Sequence, residues 1–186
     1  GNAIADIIFG KVAPSGKLPI TFPKSLDQLP SYEDYSMKGR TYRYMTKEPM
    51  YPFGFGLSYS SFSFSDLNQS AINIKEGEIV EISLKVTNIG DYPAIETVQM
   101  YITDDIASTL TPLFSLKGIK KVNLQPGESK FIDFKIISDM LKLINDQGEA
   151  KLEKGNFTIH ISNSLPSKRA LELGASKSLI TRLVLE

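Results

Sequence analysis

The sequence contains no cysteine and one histidine, and its charges cancel: Lys+Arg 21 against Asp+Glu 21. Without cysteine there is no disulfide scaffold, no thiolate zinc site and no thiol nucleophile. A lone histidine makes a Ser-His-Asp triad or a multi-histidine metal centre difficult to assemble. Zero net charge without a basic run removes the electrostatic footprint of nucleic-acid binding. No apolar run approaches the ~18 residues of a membrane-spanning helix. The lack of cysteine does not set a compartment, because exported proteins can also lack disulfides. What is present is ordinary for a globular chain: 41% hydrophobic and 23% charged residues over 186 positions. That length suits one domain of moderate size plus something extra.

Three stretches differ in pattern. Asn2 to Phe9 reads as helix, with Ile4, Ala5 and Ile8 on one face and Gly10 as its stop. Pro14-Ser15-Gly16 marks a turn, and Lys17 to Pro23 is a short extended segment bounded by prolines. One helix and one strand cannot bury their apolar faces on each other. Residues 1–23 are therefore expected to be the last helix and strand of an α/β domain. Residues 24–61 have no sustained period but are crowded with rings. Ten of the eighteen Phe and Tyr residues fall between Tyr32 and Phe64. A solvated linker does not carry that apolar load, so this segment should pack between two bodies.

From Phe62 to the end the period becomes two, as in Glu81-Ile82-Ser83-Leu84-Lys85-Val86-Thr87 and Phe157-Thr158-Ile159-His160-Ile161-Ser162. Turn residues separate the runs at Glu76-Gly77, Gly90-Asp91, Pro126-Gly127 and Lys154-Gly155. The pattern predicts strands near 62–67, 78–88, 95–103, 115–124, 129–137, 155–162 and 179–185, with one helical turn within 138–144. Seven short alternating strands indicate a mainly β chain ending in an immunoglobulin or fibronectin type III-like sandwich over 62–186.

Several motifs resolve to structure. The Gly10 to Lys17 stretch has one residue too many for a phosphate loop, and Leu18 replaces the magnesium-binding hydroxyl. Asn145-Asp146-Gln147-Gly148-Glu149 lacks the ligand spacing of a calcium loop and reads as a β-turn. Asp104-Asp105 reads as a solvated strand end, and His160, on the outward parity of its strand, as a surface residue. No metal or cofactor is expected. Asn68-Gln69-Ser70 and Asn156-Phe157-Thr158 match the glycosylation pattern, which matters only in a eukaryotic source. Two segments stand out. Gly39-Arg40-Thr41-Tyr42-Arg43-Tyr44-Met45 interleaves two guanidiniums with two phenols, a chemistry suited to sugar rings or to clamping two domains. Tyr51-Pro52-Phe53-Gly54-Phe55-Gly56-Leu57-Ser58-Tyr59 reads as packing, with glycines allowing tight turns.

In order, Gly1 to Gly10, Pro14 to Pro23 and Tyr51 to Tyr59 are followed by Val86-Thr87-Asn88-Ile89-Gly90-Asp91 and Glu96-Thr97-Val98-Gln99-Met100-Tyr101. Leu116-Lys117-Gly118 and Leu124-Gln125-Pro126-Gly127-Glu128 complete the series. Together they resemble the carboxyl-terminal part of a glycoside hydrolase family 3 β-glycosidase, including its fibronectin type III-like domain. The resemblance implies a (β/α)₈ barrel and an α/β sandwich upstream, and a retaining mechanism with two carboxylates. It places the nucleophile in the barrel and the acid/base upstream of Gly1, so no catalytic residue is expected among these 186. It implies an exo-acting enzyme removing terminal β-linked xylose or glucose from oligosaccharides, secreted or periplasmic, whose substrate is met through the other domains. Arg40, Tyr42 and Tyr44 are the substrate-proximal candidates, and their segment looks more like β-xylosidase or α-arabinosidase relatives. Pro112-Leu113-Phe114-Ser115-Leu116 departs from the family's Pro-x-Lys-Glu-Leu. The rival reading is a non-catalytic carbohydrate-binding or adhesive sandwich, which a row of exposed aromatics on the sandwich would favour.

Overall fold

Alternation of apolar and polar residues produces strands where it is sustained. A computed structural model describes residues 1–186. Its strands are β1 (Phe62–Gln69), β2 (Asn73–Ile74), β3 (Val80–Asn88), β4 (Ala94–Asp104), β5 (Ser115–Leu124), β6 (Ser129–Ile136), β7 (Leu143–Ile144), β8 (Ala150–Lys151), β9 (Gly155–Ser162) and β10 (Leu179–Leu185). The seven longer strands are those the pattern predicts. The two-residue strands β2, β7 and β8 are too short for any period to reveal. A 3₁₀ turn at Ser138–Leu141 lies within the expected helical stretch.

Two sheets face each other, with orders β1-β3-β6 and β2-β10-β9-β4-β5. All long pairings are antiparallel, and β2 runs parallel to β10. The core between the sheets takes Ile82, Leu84 and Val86 from β3, Val98 and Met100 from β4, and Ile159 and Ile161 from β9. Each is almost wholly inaccessible. Full burial of such a side chain stabilises by about 1.5–3 kcal/mol, so this layer supplies most of the favourable term.

Loops are fixed by polar knots. Asn88 is fully buried, and its Oδ1 accepts from Ser60 Oγ at 2.5 Å and from the Gly90 N–H at 3.0 Å. Its Nδ2 donates to the Tyr92 and Leu124 carbonyls. The Gly148 N–H donates to the Asn145 carbonyl at 2.9 Å, which makes that acidic stretch the β-turn its sequence suggests.

Helix α1 (Asn2–Ile8) ends at Gly10 with φ +72, and none of its residues is buried. The chain then runs along Tyr51–Phe55. Leu18 N–H donates to the Phe55 carbonyl at 2.8 Å, and Phe22 N–H to that of Tyr51 at 2.9 Å. The expected strand at 17–23 thus has one bridge, Phe22 with Tyr51, in place of a sheet partner. Two short helices complete the chain, α2 (Thr41–Tyr44) and α3 (Lys168–Glu172).

Candidate functional site

The outer face of the five-stranded sheet is covered by residues from the first sixty. Strand parity turns Thr97, Gln99 and Tyr101 outward while Val98, Met100 and Ile102 face the core. Gln99 Nε2 donates to the carbonyls of Gly54 at 2.9 Å and Asn163 at 3.1 Å, and Tyr101 donates its hydroxyl proton to Gln99 Oε1. Thr97 Oγ1 donates to the Ser15 carbonyl. Gly54 is required here. Its φ is +74, and a Cβ would meet the Gln99 amide and lie 2.7 Å from the Tyr101 hydroxyl.

Rings continue the contact. Tyr42 stacks on Phe53 with centroids 4.1 Å apart and planes 17° apart, and meets Tyr101 edge-on at 6.2 Å. Phe114 joins Tyr101 to His160, again edge-on. Burial, followed by the neighbouring Tyr42, pushes the Tyr101 phenol far above its usual value, so it stays a neutral donor. His160 has the outward parity that the sequence assigns it, but it is not a surface residue. It lies half-buried beside Phe114, and its Nδ1 is buried without a hydrogen-bond partner. Burial lowers its pKa, with Asp105 opposing. Alternation tells the face of a strand, not whether another segment covers that face.

The three sugar-facing candidates occupy different settings. Arg40 folds back on its own loop, its guanidinium donating to the carbonyls of Ser31, Asp34 and Ser36. Asp34 Oδ1 accepts from the Ser36 N–H at 2.8 Å, a bond that holds its carboxyl below the usual range. The loop so tied presents Tyr32 and Tyr35 at 91% and 88% exposure. Tyr42 is in the aromatic stack, and its hydroxyl accepts from the Leu116 N–H at 3.4 Å. Tyr44 is half-buried, with the Arg43 guanidinium 6.0 Å from its ring centroid. Between them Thr41 has φ +55, unusual for a β-branched residue and a local strain of about 1–3 kcal/mol.

A polar network that the sequence did not suggest closes one end of the sandwich. Glu96 has the parity of core residues, and its Oε2 accepts from Asn163 Nδ2 at 2.8 Å. Asn163 Oδ1 accepts from the Ser176 N–H, and Ser176 Oγ donates to the Phe62 carbonyl at 2.6 Å. Lys17 reaches in to complete it. Glutamate at a core parity position was the available signal. No three His, Asp or Glu side chains gather closely enough to share a metal ion.

Residues 1–59 match the glycosyl hydrolase family 3 C-terminal domain, and residues 96–165 the fibronectin type III-like domain. The periplasmic β-glucosidase of Salmonella typhimurium is 41% identical over 173 residues, covering 87% of this chain and 23% of that protein. A β-xylosidase of Formosa agariphila is 39% identical over 169 residues, covering 88% and 23%. The solved structure of a β-glucosidase from Erythrobacter marinus superposes with TM-score 0.80 at 34% identity, over 99% of this chain and 23% of that one. The chain spans under a quarter of the length of each of these three proteins. With both matched segments in their expected order on one interlocked body, the chain belongs to glycoside hydrolase family 3, and it matches the carboxyl-terminal part of the β-glucosidases and β-xylosidases it resembles.

Proposed function

We propose that this chain is the structural carboxyl-terminal portion of a retaining exo-β-glycosidase that removes terminal β-linked xylose or glucose from oligosaccharides. The observation that carries this reading is the interlock of residues 15–57 with the outer sheet face through Gln99, Tyr101 and Tyr42. It gives the sandwich a rigid anchor for neighbouring domains of the same protein. The exposed apolar residues Ile4, Ile8, Phe9, Val12 and Leu57 supply a face for those domains. In this reading 1–23 completes the α/β domain, 24–61 is the interdomain segment and 62–186 is the sandwich. The protein works in the periplasm or outside the cell; no helix here is long and apolar enough to cross a membrane.

The catalytic nucleophile and acid/base belong to the preceding domains, and Arg40, Tyr42 and Tyr44 are this chain's residues nearest the sugar. Arg40 acts as a positioning residue, because its Nε and Nη2 are already engaged with loop carbonyls. A carbohydrate-binding module is the second reading, favoured by exposed Tyr32 and Tyr35. The sandwich itself offers Phe131 on β6 and Tyr92 on the β3–β4 loop, on separate elements. The test is hydrolysis of aryl β-xyloside and aryl β-glucoside by the full-length protein containing this chain. Turnover of either is expected, and turnover of neither would reject the glycosidase reading.

A further inference from the structure

A cavity of about 100 Å³ opens between the end of β4, the start of β5, the Met140–Ile144 stretch and the Arg43-Tyr44 end of α2. Its second basic side chain is delivered by an irregularity in the sheet. Met100 pairs with Gly118 and Tyr101 with Leu116, which leaves Lys117 as the extra residue of a β-bulge. A bulged residue escapes the alternation of its strand and its side chain is re-aimed, here into the cavity wall. Gly118 keeps the sheets close at this point, since a Cβ there would lie 2.7 Å from Phe134.

Lys117 is half-buried, and burial, then the neighbouring Arg43, lowers its pKa. Neither Lys117 nor Arg43 has a carboxylate within ion-pair distance. A second positive charge beside the half-buried Lys117 opposes folding unless a negative group compensates it. The remaining charged residues of the wall do not serve. Lys142 is paired with Asp139 at 2.6 Å. Asp104 has its pKa raised, chiefly by burial; its Oδ1 accepts the Ile106 N–H at 3.3 Å, and the charges that act on it are Glu153 and Asp105.

We propose that this cavity is an oxyanion site in which Arg43 and Lys117 hold a carboxylate or sulfate group, free or carried as the acidic substituent of a saccharide. The hydroxyls of Thr111 and Ser115 in the same wall add neutral donors. The cavity has room for an oxyanion between these side chains. Nothing in this assignment depends on the glycosidase reading.

The experiment titrates the full 186-residue chain with sodium sulfate, methyl β-glucuronide and neutral methyl β-xyloside, at ionic strength held constant with chloride, following backbone amide resonances of residues 41–44 and 115–118. Saturable binding of an anion with no response to the xyloside is expected. Sulfate binding at least as tightly as the glucuronide identifies a free anion as the ligand; tighter glucuronide binding identifies the saccharide. Lys117→Met should weaken binding about tenfold, the loss of one charge-assisted contact, and Lys117→Arg should restore it. Arg43→Gln, on an exposed side chain outside the sheet, decides the matter if Lys117→Met fails to fold. No saturable anion binding, an equal response to the xyloside, or unchanged affinity in the folded variants would overturn the assignment.

Discussion

Lys17 Nζ lies 2.8 Å from Glu96 Oε1, with the two side chains only 12% and 3% exposed. The pair joins the turn after α1 to β4, and Glu96 also accepts from the Thr97 N–H at 2.7 Å and from Asn163. Removing one member of such a pair leaves the other charge buried, at a cost of about 3–5 kcal/mol. Lys17→Met should therefore lower the urea midpoint strongly. Combining it with Glu96→Leu should recover part of the loss, because an apolar pair replaces two desolvated charges. A double-mutant cycle measures this, and additive losses would show that the two groups do not act on each other.

The sandwich was legible because its longer strands run seven or more residues and the clearest, such as β3 and β9, alternate long enough for parity to specify a face. Leu84 and Val86 of β3 could be placed in the core from the sequence alone. Glu96, Gln99 and Lys117 could not. Glu96 sits on core parity only because Lys17, nearly eighty residues away, reaches it. Gln99 is buried because Gly54 approaches from another segment. Lys117 leaves the pattern through a bulge that periodicity does not announce. His160 shows the same limit: its face was right, and the cover supplied by Phe114 was not visible in local sequence. Contacts from elsewhere in the chain decide Glu96, Gln99 and His160, and the bulge decides Lys117.

His160 makes stability depend on pH in a defined direction. Its unfolded pKa is about 6.5 and burial lowers the folded value. Between those two values the unfolded chain binds more protons, so stability rises with pH there. This contribution is fully present above about pH 6.5 and declines as the pH falls toward the folded pKa. Wild-type protein should lose more of its urea midpoint between pH 7.5 and 5.5 than His160→Gln. Parallel pH profiles would remove His160 as the cause.

The isolated chain should hydrolyse neither aryl β-xylosides nor aryl β-glucosides. Retaining chemistry needs two carboxyl groups about 5–5.5 Å apart across the sugar, and the family motifs bearing both are absent from this sequence. A discontinuous assay at high protein concentration measures this. Turnover above the uncatalysed rate that is lost on mutating an acidic residue of this chain would contradict it.

Protection against hydrogen exchange should fall into two classes in this chain. Backbone amides of β3 lie between β1 and β6 in a continuous ladder and should exchange only on global unfolding. The helix Asn2–Ile8 has no buried residue and lies ahead of the Lys17 anchor, so its amides should exchange through local opening. Equal protection of the two segments in monomeric protein would show that the first helix is held as firmly as the sandwich.

Arg40 and Tyr42 separate a substrate role from a purely architectural one. Arg40→Ala removes three hydrogen bonds to loop carbonyls and should loosen the loop bearing Tyr32 and Tyr35. Tyr42→Phe keeps the stack on Phe53 and loses only the long 3.4 Å contact from the Leu116 N–H, so its melting temperature should change little. If the Tyr42 hydroxyl also meets sugar in the full-length enzyme, kcat/KM should fall about ten- to a hundredfold, the loss of one polar contact worth ~1–3 kcal/mol. If Arg40 positions the exposed tyrosines against substrate, its alanine variant should raise KM more than it lowers kcat, and lysine should restore little because it cannot span three carbonyls. Melting temperature and kinetics are measured together on the full-length protein. Lower stability with unchanged kinetics in both variants would remove the segment from the sugar pocket and leave it as the clamp between the first sixty residues and the sandwich.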